Sequence, residues 1–336
     1  MVSARRTLAI SGGSGYVGGR LAQAALAAGW DVRVLSRRPG AARPAGASLQ
    51  VVDWNDPDAA AAALDGCAAL LQLAAASEAE AGADPPAALR QTTVQAMAWL
   101  QAARRAAVPR VLQCSTAHVY GAADDAGAVA ETVPCRPRHP YAVAHLAAEE
   151  CVRMAHRRGE VRGLVVRLSN AVGAPAQPDI RRWNLLANDL CRQAAETGRM
   201  GLRSDGLAVR DFVALSDVSS AVLHLLGQPL DTAEALTVNL GGGAGCTVWE
   251  LAQQLNVRAG VVLGKTLPLS RLDPPVTAAA VSDRDTAAAG ASCFHLDLGR
   301  LRGLGWTPQP GALAAELDAL LHFCRSHFPP AARGAA

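Results

Sequence analysis

The sequence predicts an α/β protein: a doubly wound parallel sheet followed by a smaller mixed α/β domain. Three observations carry that expectation. Short β-branched runs alternate with Ala/Leu-rich helical stretches from Thr7 to about Leu168, the pattern of repeated βαβ units. A glycine-rich turn, Gly12 to Gly18, joins the first strand to the first helix. Beyond Asn170 the rhythm gives way to short strands, loops and helices, with Pro175 and Pro178 breaking the chain.

The elements follow in order. Thr7-Leu-Ala-Ile10 reads as the first strand, and the helix after the glycine turn runs to about Ala28, where Gly29 closes it. Asp31 to Leu35 is the second strand and Leu49 to Val52 the third. Asp56 then caps a helix with Pro57 at its first position. Ala69 to Leu73 is the fourth strand, Pro86 to Ala107 one long helix, and Arg110 to Cys114 the fifth strand. A helix from Tyr141 to about Arg157 and a strand from Gly163 to Leu168 complete the first unit. We therefore expect a nucleotide-binding domain over 1–170 to which 211–240 returns, a second domain over 171–210 and 241–328, and a terminal tail over 329–336. Helices are expected from Ser216 to Leu226 and from Thr247 to Leu255.

Composition bounds the function. With 336 residues, 50% of them hydrophobic and 18% charged, the chain can bury one large core or two modest ones. Net charge is only +3, and the basic residues are scattered, which argues against a nucleic-acid partner. The apolar stretches are too short and too interrupted for a bilayer span, and Met1 to Arg6 has no apolar leader core, so a cytoplasmic protein is expected. The eight cysteines show no C-x-x-C spacing, in keeping with reduced thiols and with no metal site. Among 32 basic residues there is a single lysine, Lys265.

The Gly12-x-x-Gly15-x-x-Gly18 turn has the context that makes this motif informative, a strand before it and a helix after it. Glycine is needed for the tight turn, for backbone approach to a pyrophosphate, and for helix-on-strand packing. Free N–H groups at the helix start then hold the anion. These features make the parallel sheet Rossmann-type and put a dinucleotide on Gly12, Gly15, Tyr16, Val17 and Gly18. At the end of the second strand, where a carboxylate would favour NAD, the chain reads Ser36-Arg37-Arg38, and no acidic residue stands between Asp31 and Asp53. NADP is therefore expected in preference to NAD, with NAD possible.

Several further landmarks fall in one order: Val52-Asp53-Trp54, Gln72-Leu73-Ala74-Ala75, Cys114-Ser-Thr116-Ala-His118-Val-Tyr120-Gly121, Pro140-Tyr141 to Glu150, Arg167-Leu-Ser-Asn170 to Gly173, and Arg210-Asp-Phe-Val-Ala-Leu-Ser-Asp-Val218. Phe294-His-Leu-Asp297 and Leu304-Gly-Trp306 close the series. On these residues the chain resembles the extended short-chain dehydrogenase/reductases, above all the nucleoside-diphosphate-sugar epimerases, dehydratases and reductases. The likeness spans nearly the whole chain.

What the resemblance implies is a proton relay beside the nicotinamide, with Tyr141 as general acid/base and Thr116 holding the same substrate oxygen. It adds Asp53, Trp54, Leu73, Ala74 and Ala75 to the cofactor contacts. His118, Asn170 and Arg210 fall to the substrate, the last as a planar fork for a diphosphate. It also implies a homodimer built on the helix near 86–107 and the Tyr141 helix. The family's acidic pair for water elimination is replaced by Ala117 and His118, which argues against a 4,6-dehydratase. An epimerase and a 4-ketoreductase remain, both taking a nucleotide sugar. An NADP-dependent reductase of a small non-nucleotide carbonyl compound, or a catalytically impaired nucleotide-binding sensor, is the alternative.

One position departs from the pattern. Four residues after Tyr141, where the family carries a lysine that lowers the tyrosine pKa, stands His145. The i, i+4 spacing keeps both side chains on one helix face, but an imidazole is mostly neutral at pH 7. Either His145 stands in for the lysine as a conditional cation or a neutral donor, or the reaction is crippled. No lysine elsewhere in the first domain can take its place.

Overall fold

The computed structural model describes residues 6–121, 127–180, 182–229, 233–271 and 294–329. In chain order the first half contains β1 (Thr7–Ser11), α1 (Tyr16–Ala27), β2 (Asp31–Ser36), β3 (Ser48–Val51), α2 (Pro57–Ala63), β4 (Cys67–Gln72), α3 (Glu78–Ala83), α4 (Pro85–Leu89), α5 (Gln95–Arg105), β5 (Arg110–Thr116), β6 (Gly127–Val129), α6 (Pro140–Arg157) and β7 (Arg162–Leu168). The second half contains β8 (Asn170–Val172), α7 (Leu186–Thr197), β9 (Met200–Gly201), β10 (Val209–Ala214), α8 (Leu215–Leu226), β11 (Leu236–Leu240), β12 (Gly245–Thr247), α9 (Val248–Leu263), β13 (Leu269–Ser270), β14 (Phe294–Leu296), α10 (Gly299–Gly303) and α11 (Ala312–His327).

Seven strands form one parallel sheet in the order β11-β7-β5-β4-β1-β2-β3. The inner strands are buried on both faces, which is why they read as continuous apolar runs rather than alternating ones, while the edge strand β3 is mostly exposed. One face packs Leu8, Ile10 and Val34 against α1 and α8; the other packs Ala9, Leu70 and Val111 against α2, α5 and α6. The chain winds outward from β1 in both directions, so the crevice between β1 and β4 is the point where the strand order reverses. Open α/β sheets bind ligands beyond the carboxyl ends of their strands at such a point.

Three boundaries differ from the sequence expectation. The stretch read as one helix over Pro86 to Ala107 is α4 and α5 joined by a π-helical turn, Arg90–Val94. The return to the main sheet is made by α8 and β11. Residues 211–214, expected within that return, belong to β10, which pairs with β8 and β12 in a separate three-stranded sheet. The helix expected over Thr247 to Leu255 extends to Leu263, with Thr247 as cap in a reciprocal pair with Glu250. The second core joins α7, α9 and α11 through Leu190, Leu251, Leu255 and Leu320. All but one residue of the expected tail lie outside the described residues.

The two cores are stitched together at α1. The Tyr16 hydroxyl donates to the Gly173 carbonyl at 2.6 Å, and Arg20 pairs with the buried Glu316 carboxylate of α11. The helix that opens at the glycine turn is thus fixed to the second domain.

Candidate functional site

The glycine turn is shaped by contacts that leave no room for side chains. Gly12 has φ +81°, and a Cβ there would fall 2.6 Å from the Ala74 nitrogen; a Cβ on Gly18 would fall 2.2 Å from the Gly12 carbonyl. Gly12 therefore lets the turn lie directly on the chain leaving β4, and Gly18 lets α1 start against the turn. Gly15 meets only the Gly12 carbonyl, to which its N–H donates at 2.9 Å. The Ser14 hydroxyl in the same turn is buried without a hydrogen-bond partner among the described residues. Close backbone, an unpartnered donor and the start of a twelve-residue helix fit the pyrophosphate of a dinucleotide. Tyr16 and Val17 supply first-turn N–H groups, while the Tyr16 side chain points into the domain junction, where burial holds its pKa high.

The strand registers bring the other expected cofactor residues to the same edge. Ser11 pairs with Leu35 of β2 and Gln72 of β4, and Ser36 pairs with Val51 of β3. The Ser36 hydroxyl accepts from the Arg38 N–H at 3.0 Å, turning the chain so that Arg37 and Arg38 both reach solvent. Asp53 is exposed; hydrogen bonds from Asn55, with a smaller contribution from Arg37, hold its carboxyl below the usual range. With the Gln95 amide turned to suit its neighbours, its oxygen accepts from Trp54 Nε1 at 3.0 Å and its nitrogen donates to the Ala74 carbonyl at 3.2 Å. Leu73, Ala74 and Ala75, half-buried, form the floor between turn and tryptophan.

The catalytic candidates meet at the neighbouring strand ends. Thr116 is the last residue of β5, and its hydroxyl accepts from the His118 N–H at 3.2 Å. Tyr141 is the second residue of α6, its N–H donating to His139 Nδ1 at 3.2 Å. The π turn holds this helix in place: Thr92 accepts from the Ala76 N–H beyond β4, and Thr93 donates to the Ala144 carbonyl of α6. One extra residue per turn presents adjacent threonines to two different elements. The Tyr141 ring lies edge-on to His145, centroids 4.5 Å apart, and to His118 at 6.2 Å.

Electrostatics at this cluster are set by burial. Burial pushes the Tyr141 phenol up to about 12, with hydrogen bonding to Thr116 opposing it. His145 is 4% exposed, and both its ring nitrogens lack hydrogen-bond partners among the described residues. Burial pushes its pKa down to about 4, against a smaller opposing pull from Glu149, so the ring is neutral at pH 7. Two buried, unpartnered nitrogens one turn from Tyr141 fit a hydroxyl-bearing ligand such as the nicotinamide ribose. His118, at the cleft mouth, is likewise held in its neutral form, first by desolvation and then by Arg210 and His139 against Glu78.

His118, Arg210 and Asn170 lie toward the second domain. Arg210 is exposed near the start of β10. Asn170 on β8 donates from Nδ2 to the Asp211 carbonyl at 2.8 Å, locking the two strands.

Sequence reasoning missed what stands behind the catalytic helix. Glu149, two turns after Tyr141 on the same face, is fully buried. Its carboxylate accepts from Ser115 Oγ at 2.5 Å, Arg167 Nη2 at 2.8 Å and Arg153 Nη2 at 2.7 Å. Arg167 continues to the Tyr120 hydroxyl at 3.0 Å, which donates to Asn239 at 2.6 Å. The available signal was an arginine inside the apolar β7 run, which demands a buried partner. Among the described residues no three His, Cys, Asp or Glu side chains could hold a metal ion, and no helix is long and apolar enough to cross a membrane.

A family model described as the NAD dependent epimerase/dehydratase family matches residues 8–241. The dTDP-6-deoxy-L-talose 4-dehydrogenase (NAD(P)(+)) of Kitasatospora kifunensis is 30% identical over 90% of this chain and 91% of its own length. The UDP-glucose 4-epimerase of Streptomyces lividans is 30% identical over 92% and 94%. In fold, the UDP-glucose 4-epimerase of Thermus thermophilus solved with NAD superposes with a TM-score of 0.76 over 98% of this chain and all of that one, at 23% identity.

Proposed function

The chain belongs to the NAD dependent epimerase/dehydratase family, and from that premise we propose that it is a nucleotide-sugar epimerase or 4-ketoreductase with Tyr141 as its acid/base. The observation that carries the proposal is that Tyr141, in the first turn of α6, meets Thr116 at the carboxyl end of β5, two strands along the sheet from β1 and its glycine turn. Both 30%-identical relatives are named for chemistry at sugar C4, which supports the same position here.

When bound, a nicotinamide dinucleotide supplies the hydride donor or acceptor. The chain does the rest. Gly12, Gly15, Gly18 and the α1 N-terminus hold the pyrophosphate; His145 faces the ribose; Thr116 and Tyr141 hold the reacting oxygen and move its proton. His118 stands beside Tyr141 at the sugar end of the substrate, and Asn170 and Arg210 face its diphosphate end. Purified protein incubated with UDP-, GDP- and dTDP-sugars and either cofactor should show a nicotinamide absorbance change or a converted sugar. Cofactor binding without binding or turnover of any of these sugars would overturn the reading.

NADP is the proposed preference, supported by exposed Arg37 and Arg38 and by a second strand that ends without a carboxylate. We expect NADPH to bind more tightly than NADH by fluorescence titration, and the double change Arg37→Ala, Arg38→Ala to remove the difference. Equal affinities in the unchanged protein would refute this. Gly18→Ala should weaken either cofactor about tenfold or more, because the new methyl must displace the Gly12 backbone rather than a movable side chain. Unchanged affinity would mean the cradle is not the binding site.

A homodimer is the proposed assembly. Leu89, Val94 and Met97 on the α4–α5 segment and Val143 on α6 remain exposed together on the helices that the family resemblance assigns to subunit contact. A cytoplasmic setting rests on the cysteine spacing.

A further inference from the structure

We propose that the site is built to reduce a ketone, with Tyr141 resting as a neutral phenol that gives its proton to the substrate oxygen, because among the described residues no cation is placed to hold it as tyrosinate. The inference rests on the reading of Tyr141 as the acid/base and adds a direction to it.

The groups facing Tyr141 come from every element around it. Strand β5 brings the Cys114 thiol and the Thr116 hydroxyl, α3 brings Glu78, the turn after β5 brings His118, and its own helix brings His145. Of the described cations only Arg182 exerts a pull on the phenol. It is the weakest of the influences there, and its field is shared with Glu80. Arg167 and Arg153, deeper along α6, are spent on Glu149. The one lysine, Lys265, lies beside Gly198 at the end of α7, in the second domain. Protonating His145 would bury a charge in a site where desolvation outweighs the favourable pulls of Glu149 and the Cys114 carbonyl, so it supplies none.

The consequence is directional. In reduction, the carbonyl carbon gains a hydride from a reduced nicotinamide dinucleotide. The C=O π pair passes to oxygen, and that oxygen takes the Tyr141 proton. The resulting tyrosinate recovers a proton from water at the cleft mouth. The phenol needed for this is the resting form at neutral pH. Oxidation, including the first half of an epimerisation, needs tyrosinate, whose fraction falls about tenfold for each pH unit below the pKa. A reaction that leaves a carbonyl on the sugar ring, by oxidation or by dehydration, must therefore supply the substrate.

The test is an ultraviolet titration of tyrosinate in cofactor-free protein and with oxidised cofactor, in parallel with the Tyr141→Phe variant. With only three tyrosines in the chain, the difference between the parent and the Tyr141→Phe titration isolates the Tyr141 signal. We expect no tyrosinate between about pH 6 and about pH 9, a flat rate of ketone reduction over that range, and an alcohol oxidation that rises about tenfold per pH unit. His145→Lys should bring a tyrosinate step down toward neutral pH. A tyrosinate step near neutral pH that is missing in Tyr141→Phe, with or without cofactor, overturns the inference, as does a flat oxidation profile. Failure to turn over any nucleotide sugar would instead count against the proposed function, and the titration would still decide the state of Tyr141.

Discussion

Tyr141→Phe should lower turnover by about 10²–10⁴-fold, the range for loss of a positioned acid/base, with cofactor affinity and folding stability nearly unchanged. The substitution removes one oxygen from a ring whose other contacts persist. The edge contacts with His145 and His118 need only the ring, and the helix start is held through the Tyr141 backbone N–H rather than its side chain. Thr116 keeps its own role, capping the turn at His118. Removing the hydroxyl also removes a buried group whose ionisation is already opposed by its surroundings, so thermal stability should hold. Steady-state turnover with the sugar substrate, a cofactor titration and a melting curve together check the expectation. A variant within tenfold of the parent rate would move the proton chemistry to another group, with His118 the nearest candidate.

The fold was legible because the inner strands of the parallel sheet are buried on both faces and crossover helices carry a cap, a first-turn proline or a glycine stop, as at Asp56, Pro57 and Gly29. The site was legible where chemistry and backbone geometry coincide. Gly12 and Gly18 are forced by contacts of 2.6 and 2.2 Å, and Thr116 and Tyr141 sit at a strand end and a helix start. What escaped depends on relations between elements. A π turn adds a single residue to a helix and leaves the apolar periodicity of Pro86 to Ala107 almost unaltered. Asp211 and its strand look like part of a returning unit, yet β10 pairs with β8 and β12, and the Asp211 carboxylate accepts from the N–H groups of Gly242, just past β11, and of Leu296. His145 was visible as a histidine in a lysine's place. Its charge was not, because desolvation is a property of the packed site and not of the i, i+4 spacing.

Glu149→Ala should destabilise the protein by about 3–5 kcal/mol, the cost of leaving a buried charge without its partner. Arg167 is 4% exposed, and Nε and Nη2 both donate to this carboxylate. Its remaining bond, to the Tyr120 hydroxyl, cannot neutralise it. Arg153 can swing toward solvent and Glu150, but Arg167, on a central strand, cannot. Denaturant unfolding of Glu149→Ala, Arg167→Leu and the double variant Glu149→Leu, Arg167→Leu separates the cost of the orphaned charge from that of the lost packing. The double variant should recover much of the stability, since an apolar pair can replace a buried ion pair at little cost. It should not recover turnover. The carboxylate ties α6 to β5 through Ser115 and to β7 through Arg167, so without it the helix that carries Tyr141 loses its fixed distance from Thr116, and proton transfer is sensitive to displacements of about 1 Å. A single substitution costing under about 1 kcal/mol would show that water reaches the pair and that α6 is positioned by packing alone.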